Sequence, residues 1–495
     1  MTKMKNQIKI SLIIISVLIT GIISSCKKDY LDINDNPNYP ADVAIEQLMP
    51  SAELAIAHAV GNNLQIYGGL WGQFWTQSPS SSQYKTFEQY SPAANDFDAT
   101  WGILYADALQ DLKTIESKAI AENKPNYVAC SKIMQAYCFQ VLTDNFGDVP
   151  FSEALQGETA ILAPKYDSQE SIYNGIIELL NSGLSTIDDT SEAPFFPGTD
   201  DVIFGGDMSL WRKFGNTLKL RVFLRLAYVS PAKAQAGVEA LEADGAEFLG
   251  GGENAQIAYT SEGGNTNPLY SSFIEIGQTQ NLVASATAVN YLSNNNDPRL
   301  DVFYDPASNG SQVGIPQGAY TLSAGTPVSV PGAAIGGHGE EPASAEAPVR
   351  LLTGYESLFL QSEAAARGWI SSGTQTLYEE AITANFTDFG LSGGDAATYY
   401  AQTDISFPSG GTFEDQLKAI ATQKWIALCG NANTEAWTEW RRTGYPDFFT
   451  ISANTILGPN VFPQRFYYPS AEVTRNVNFP GQQEINVKVW WDVKP

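Results

Sequence analysis

The sequence predicts a mainly α protein, in which helical hairpins form a repeat scaffold that carries long irregular loops and a few short strands. Three observations predict it. Apolar residues recur at three- and four-residue steps through eight long stretches. Strand-like runs are confined to AQIAYT at 255–260 and INVKVWWDV at 485–493. Residues 245–350 are rich in Gly, Ser, Pro and Asn, and are far longer than an ordinary connection.

The chain starts with Lys3, Lys5 and Lys9, followed by a mostly apolar run from Ile10 to Ile23. As a helix that run would span roughly 21 Å, short of a hydrocarbon core of roughly 30 Å. It reads as a signal peptide over 1–25. Ile23-Ser24-Ser25-Cys26 resembles a bacterial lipobox, which makes Cys26 the expected lipidation site. Several acyl chains on one cysteine give stable anchoring where a single chain does not. Residues 26–42 are polar and rich in Pro and Asn, as a tether should be. Asp32, Asn34 and Asn36 have the spacing of a calcium loop, but Pro37 stands where that loop needs glycine. Turn chemistry is the better reading, and no metal or cofactor is expected.

Residues 43–495 read as one domain, with helical blocks at about 43–245 and 350–450 around the 245–350 insertion. Helices are expected at 43–60, 99–120, 125–145, 168–187, 208–229, 355–371, 374–386 and 413–430. In the fifth, Trp211, Phe214, Leu218, Val222 and Leu226 form one packed face. Paired amphipathic helices of this length point to hairpins of the tetratricopeptide sort.

Composition excludes several functions. With 54 acids against 28 bases and a net charge of -26, the chain repels nucleic acid. Two histidines leave little for metal sites or catalytic triads. Cys130, Cys138 and Cys429 read as small buried hydrophobes. GLSGG at 390–394 has the spacing of a nucleophile elbow, but a helical pattern precedes Ser392 where a strand is required. Glu435 and Glu439 lie one helical turn apart beside Arg441 and Arg442, and look like paired, buried charges at a helix end.

The stretch LWGQFWTQSPSSSQYKTFEQY at 70–90 holds Trp71, Phe74, Trp75, Gln77 and Tyr84 among amides and hydroxyls. Rings beside such groups suit a sugar, whose C–H face covers an aromatic while amides bond its hydroxyls. Ordinary core covering a helix end fits the same residues, and the two readings stand side by side.

Six ordered stretches carry a resemblance. They are VLTDNFGDVPFSEA at 141–154, WRKFGNTLKLRVFLRLA at 211–227, NDPRL at 296–300, YESLFLQSEAAARGW at 355–369, QKWIALCGNANTEAWTEWRRTGYP at 423–446 and PQRFYYPSAEVTRN at 463–476. Together they resemble the SusD/RagB-like lipoproteins of Bacteroidetes, over Cys26 to about 476. The resemblance implies a non-catalytic outer-membrane lipoprotein facing the cell exterior, with a tetratricopeptide-like scaffold. It implies capture of a nutrient oligosaccharide or polysaccharide, or alternatively a peptide, for a SusC-like TonB-dependent transporter. A surface hydrolase is the remote alternative. The matching stretches are scaffold, so only the location of binding loops carries over. The first maps to 67–98. The second maps to 263–325, where Asn267, Tyr270, Phe273, Tyr304 and Tyr320 are candidates.

Overall fold

The computed structural model describes residue 4 and residues 43–190, 197–275, 281–337 and 342–494. The leader, Cys26, the tether and the Asp32–Asn36 turn lie outside the described residues. The helices and strands named below all belong to the compact unit 45–495.

Helix α1, Ile45–Gly61, buries Ile45, Met49, Ala52, Ile56 and Ala59, a stripe at alternating four- and three-residue steps. Helix α2 is Asn63–Trp71. The expected helix at 99–120 forms as Asp98–Gly102, a π-helical segment Ile103–Leu109, and α3, Gln110–Ala121. Pro125 opens α4, Pro125–Phe146, where its missing N–H costs nothing. Ser168 caps α5, Gln169–Thr186, and Asp207 caps α6, Met208–Arg225, each by accepting backbone N–H bonds. α7 is Pro231–Ala243 and α8 is Ala286–Asn294. α9, Gly354–Ala366, stops short of the expected 371, because Gly368 turns the chain at a φ of 71°. α10 is Thr374–Asp388, and α11 is Gly393–Tyr400. Ser392, the supposed elbow serine, is the N-cap of α11 in a capping box with Asp395. α12, Phe413–Ala427, and α13, Asn433–Thr443, complete the scaffold.

Neighbouring helices pack as hairpins: α3 with α4, α4 with α5, α6 with α7, α9 with α10 and α12 with α13. This is the tetratricopeptide-like arrangement the hydrophobic spacing predicts. Among the described residues, strands form only two-stranded antiparallel pairs. β1, Trp75–Gln77, pairs with β3, Leu282–Ala284; β2, Ala255–Ile257, with β6, Val349–Leu352; β4, Tyr304–Asp305, with β5, Val330–Pro331. The strand expected at 485–493 does not form. The Ile485 carbonyl accepts from the N–H groups of Gln464 and Arg465, but the segment's other backbone bonds are local, Val487 N–H to Glu484 and Asp492 N–H to Val489, while Ile485, Val489 and Trp491 anchor it in the core.

A buried ionic network ties the hairpins together. Glu435 and Glu439 project from α13 toward Arg225 of α6, with Glu435 at 2.6 Å. Arg442 bonds Glu439 at 2.7 Å and Glu363 of α9 at 2.5 Å. Lys424 of α12 stands 3.3 Å from Glu439, and Arg221 stands 3.4 Å from Glu356. Arg441 lies instead over the Trp437 ring at 3.7 Å and donates to the carbonyls of Asp144 and Gln464. The expectation of structural charges holds, with partners on three other helices that spacing alone does not show. Burial pushes the Glu439 carboxyl up, but Arg442, Lys424 and Arg225 outweigh it and hold it well below the usual carboxylate range. Cys130, Cys138 and Cys429 are free and buried, as expected.

Candidate ligand-binding site

The loops at 67–98 and 263–325 converge, joined by a third segment at 447–458. Gln89 donates to the Tyr320 hydroxyl at 3.0 Å, and Ser80 to the carbonyl of Ala324 at 2.7 Å. Asn454 donates to the Gly318 carbonyl at 2.6 Å, and the Ile456 N–H to that of Gln89 at 3.0 Å. Gln73 adopts a φ of 61°, rare for a residue with a side chain. From there its amide donates to the Thr450 carbonyl at 2.7 Å and accepts from the Thr287 hydroxyl at 2.7 Å. It thereby fixes the 450 segment against α8.

The aromatic residues of the first loop do not reach this surface. Trp71, Phe74 and Trp75 are core residues, with Phe74 and Trp75 wholly buried. Trp71 packs on Trp437 and Phe466 and donates to the Phe87 carbonyl at 3.2 Å. Phe74 stacks on Trp425 at 5.1 Å. Trp75 presses on α2 so closely that a β-carbon at Gly69 would lie 2.3 Å from its ring. Gln77 spends its amide on Ser78, Ser81 and Asn281 and on the Tyr84 N–H, holding the 78–84 turn closed. Tyr84 is 9% exposed, with its ring edge-on to Phe87. The structure places all five of these side chains in the core, as the second of the two readings has it, so none presents an exposed face to a sugar here.

The mid-chain candidates fare similarly. Asn267 caps the short turn Pro268–Tyr270 and donates to the Ala347 carbonyl at 2.8 Å, so its amide is occupied. Phe273, Tyr304 and Tyr320 are buried, and the Tyr304 hydroxyl donates to the Phe74 carbonyl at 2.9 Å. Tyr270 alone stays half-buried.

A groove of about 450 Å³ opens where α8 meets the 447–450 segment. Tyr291 and Phe448 line it as a stacked pair, centroids 5.3 Å apart and 18° from parallel, both half-buried. The Tyr291 hydroxyl accepts from Gln423 at 2.7 Å, and both rings stand edge-on to Trp425 beneath. Asn290 and Asn294, one helical turn apart on α8, expose their carboxamides at the rim. Among the described residues neither carboxamide bonds to the protein. Each offers a donor and an acceptor, the pattern that matches neighbouring hydroxyls of a pyranose. Asn295 also lines the groove, but spends its amide on the Tyr291 carbonyl at 2.7 Å.

Two other spaces fit a ligand less well. The cavity between α4, α6 and α13 is only about 40 Å³, far below the few hundred Å³ of a ligand site. The groove at Gln110, Gln135 and Gln156 has a similar size to that at α8, about 440 Å³. There, however, Gln135 already bonds Glu116 and Gln156 already bonds Ser152. Asn290, Tyr291, Asn294 and Phe448 lay outside the sequence-based candidates. The signal that could have found the first three is an aromatic residue among asparagines spaced four apart in AVNYLSNNND.

Glu88 lies beneath the same surface, accepting the Gln77 N–H at 3.2 Å, with no cation paired to it among the described residues. Burial raises its carboxyl from 4.5 to about 7. The fold favours the protonated form. Its contribution is therefore full below pH 4.5 and is lost as pH rises through about 7. Glu88→Gln is expected to remove that loss, about 3 kcal/mol between pH 5 and pH 8. Urea unfolding of the variant and the parent at both pH values checks it, and an unchanged difference between them contradicts it.

The comparisons agree with this architecture. The family model described as "Starch-binding associating with outer membrane" matches residues 37–469. The chain belongs to the SusD-like family. No curated protein matches. A SusD homolog from Bacteroides uniformis superposes with a TM-score of 0.76 at 23% identity, covering 90% of this chain and 99% of that one. A chitin-binding SusD homolog from Flavobacterium johnsoniae gives 0.75 at 24% identity, covering 90% and 99%. A chitin-binding protein gives 0.74 at 25% identity, covering 90% and 100%. As a SusD-like protein, the chain is a non-catalytic binding protein associated with the outer membrane. Among the described residues no helix is long and apolar enough to cross a membrane.

Proposed function

We propose that this SusD-like protein captures a nutrient oligosaccharide or polysaccharide at the outer cell surface and passes it to a SusC-like TonB-dependent transporter. Cleavage after residue 25, lipidation of Cys26 and a polar tether to residue 42 would hold the 43–495 domain on the membrane. The observation that carries the glycan reading is the Tyr291–Phe448 stack flanked by the unengaged carboxamides of Asn290 and Asn294. Two relatives described as chitin-binding support the same ligand class. The peptide alternative finds less support, because the groove lining holds neither a carboxylate nor a cation to pair with peptide charges.

Replacing both Asn290 and Asn294 with alanine is expected to weaken oligosaccharide binding by about 1–3 kcal/mol, the worth of two lost hydrogen bonds. The melting temperature should not move, since neither carboxamide bonds to another described residue. Titration calorimetry with glycans retained by the parent protein tests this. Unchanged affinity moves the site elsewhere.

A further inference from the structure

The groove at α8 also constrains the charge of its ligand, an inference that rests on the glycan reading above. Its lining is uncharged at neutral pH: alongside Tyr291 and Phe448 it consists of Ala286, Pro316, two threonines and three asparagines. Among the described residues that line it, the titratable group is the Tyr291 phenol, which burial pushes up to about 12. Charges adjoining the lining residues are held in ion pairs. Asp447, next to Phe448, is paired with Lys418 at 2.6 Å. Arg299, below α8, is paired with Asp297 at 2.6 Å, and both are fully enclosed. A ligand carboxylate or sulfate entering the groove would lose water and find no cation in the lining, while a ligand ammonium would find no anion there. The chain's net charge of -26 adds a long-range repulsion for anions. For cations it supplies only a diffuse attraction that salt screens.

We infer that the groove selects uncharged, hydroxyl- or acetamido-bearing sugars and rejects uronate-containing, sulfated and free-amino glycans. Recognition then rests on ring stacking and on the donor–acceptor pairs of Asn290 and Asn294, neither of which depends on ionic strength.

A glycan array bearing neutral, uronate-containing, sulfated and amino sugars, probed with the full detergent-solubilised protein, tests the inference. The expected binders are neutral, preferred at least about tenfold over acidic or amino analogues of the same length. Their affinity should change less than about twofold between about 20 and about 200 mM salt. Tightest binding to a charged glycan, abolished by the Asn290→Ala, Asn294→Ala double variant, would overturn the charge inference and leave the site assignment standing. Binding to no glycan at all, or binding indifferent to that double variant, would overturn both.

Discussion

Trp75→Ala is expected to destabilise the protein by about 3–5 kcal/mol, as large-to-small changes of buried aromatics do. The indole is wholly enclosed, and its ring lies against the backbone of α2 at Gly69. The Trp75 backbone also registers β1 against Ala284 of β3, and its carbonyl accepts from Gln317 at 3.1 Å. Neighbours held on both sides cannot collapse into the space, which puts the cost toward the upper end of the range. Ala284 leads through Ser285 into α8, so a fall in ligand affinity in this variant would reflect the scaffold as well as the site. Urea unfolding is the measurement. A loss below about 1 kcal/mol would show that the ring is not core, and would restore Trp75 as a surface candidate.

Glu439→Gln should cost a similar amount, about 3–5 kcal/mol, for a different reason. Glu439 contacts Arg225, Arg442 and Lys424, all nearly or fully buried. Neutralising it leaves their positive charge in a low-dielectric interior with fewer partners. The rest of the network limits the damage only in part: Arg442 keeps Glu363, and Arg225 keeps Glu435. The network also sets the acid response. Burial raises the Glu363 and Glu435 carboxyls, but the facing arginines and Lys424 outweigh it, and both end below 4.5. With Glu439 they stabilise the fold fully above the unfolded value, and that stability is lost as pH falls through the folded values. The parent should therefore lose stability steeply below about pH 4.5, and Glu439→Gln should lose less over the same interval. Chemical unfolding of both proteins at pH 7 and pH 4 reads the two effects together. Equal acid sensitivity would contradict the role given to Glu439.

The scaffold was legible because helical periodicity is a local signal. The stripe from Ile45 to Ala59 can be read directly from the residues, whereas α7, Pro231–Ala243, was not among the expected helices. Helix ends were less legible where a single glycine such as Gly368 decides the stop. The supposed strand at 485–493 failed because alternation states which side chains face inward, while a strand also needs a partner edge. The site was the least legible part. Trp75 and Asn290 both sit in polar, loop-like contexts, and only the long-range pairing of β1 with β3 buries one and leaves the other at a groove rim. Phe448 joins Tyr291 from more than 150 residues away in the chain, a proximity that no local pattern encodes.

Whether ligand is held at α8 and the 447–450 segment is tested most directly by hydrogen–deuterium exchange. The detergent-solubilised protein is measured with and without a saturating neutral oligosaccharide identified on the array. Added protection is expected in peptides covering 286–296 and 446–452, with the scaffold helices α3 to α7 unchanged. Protection centred on the α3–α4 groove at Gln110 and Gln156, with none at 286–296, would contradict the assignment.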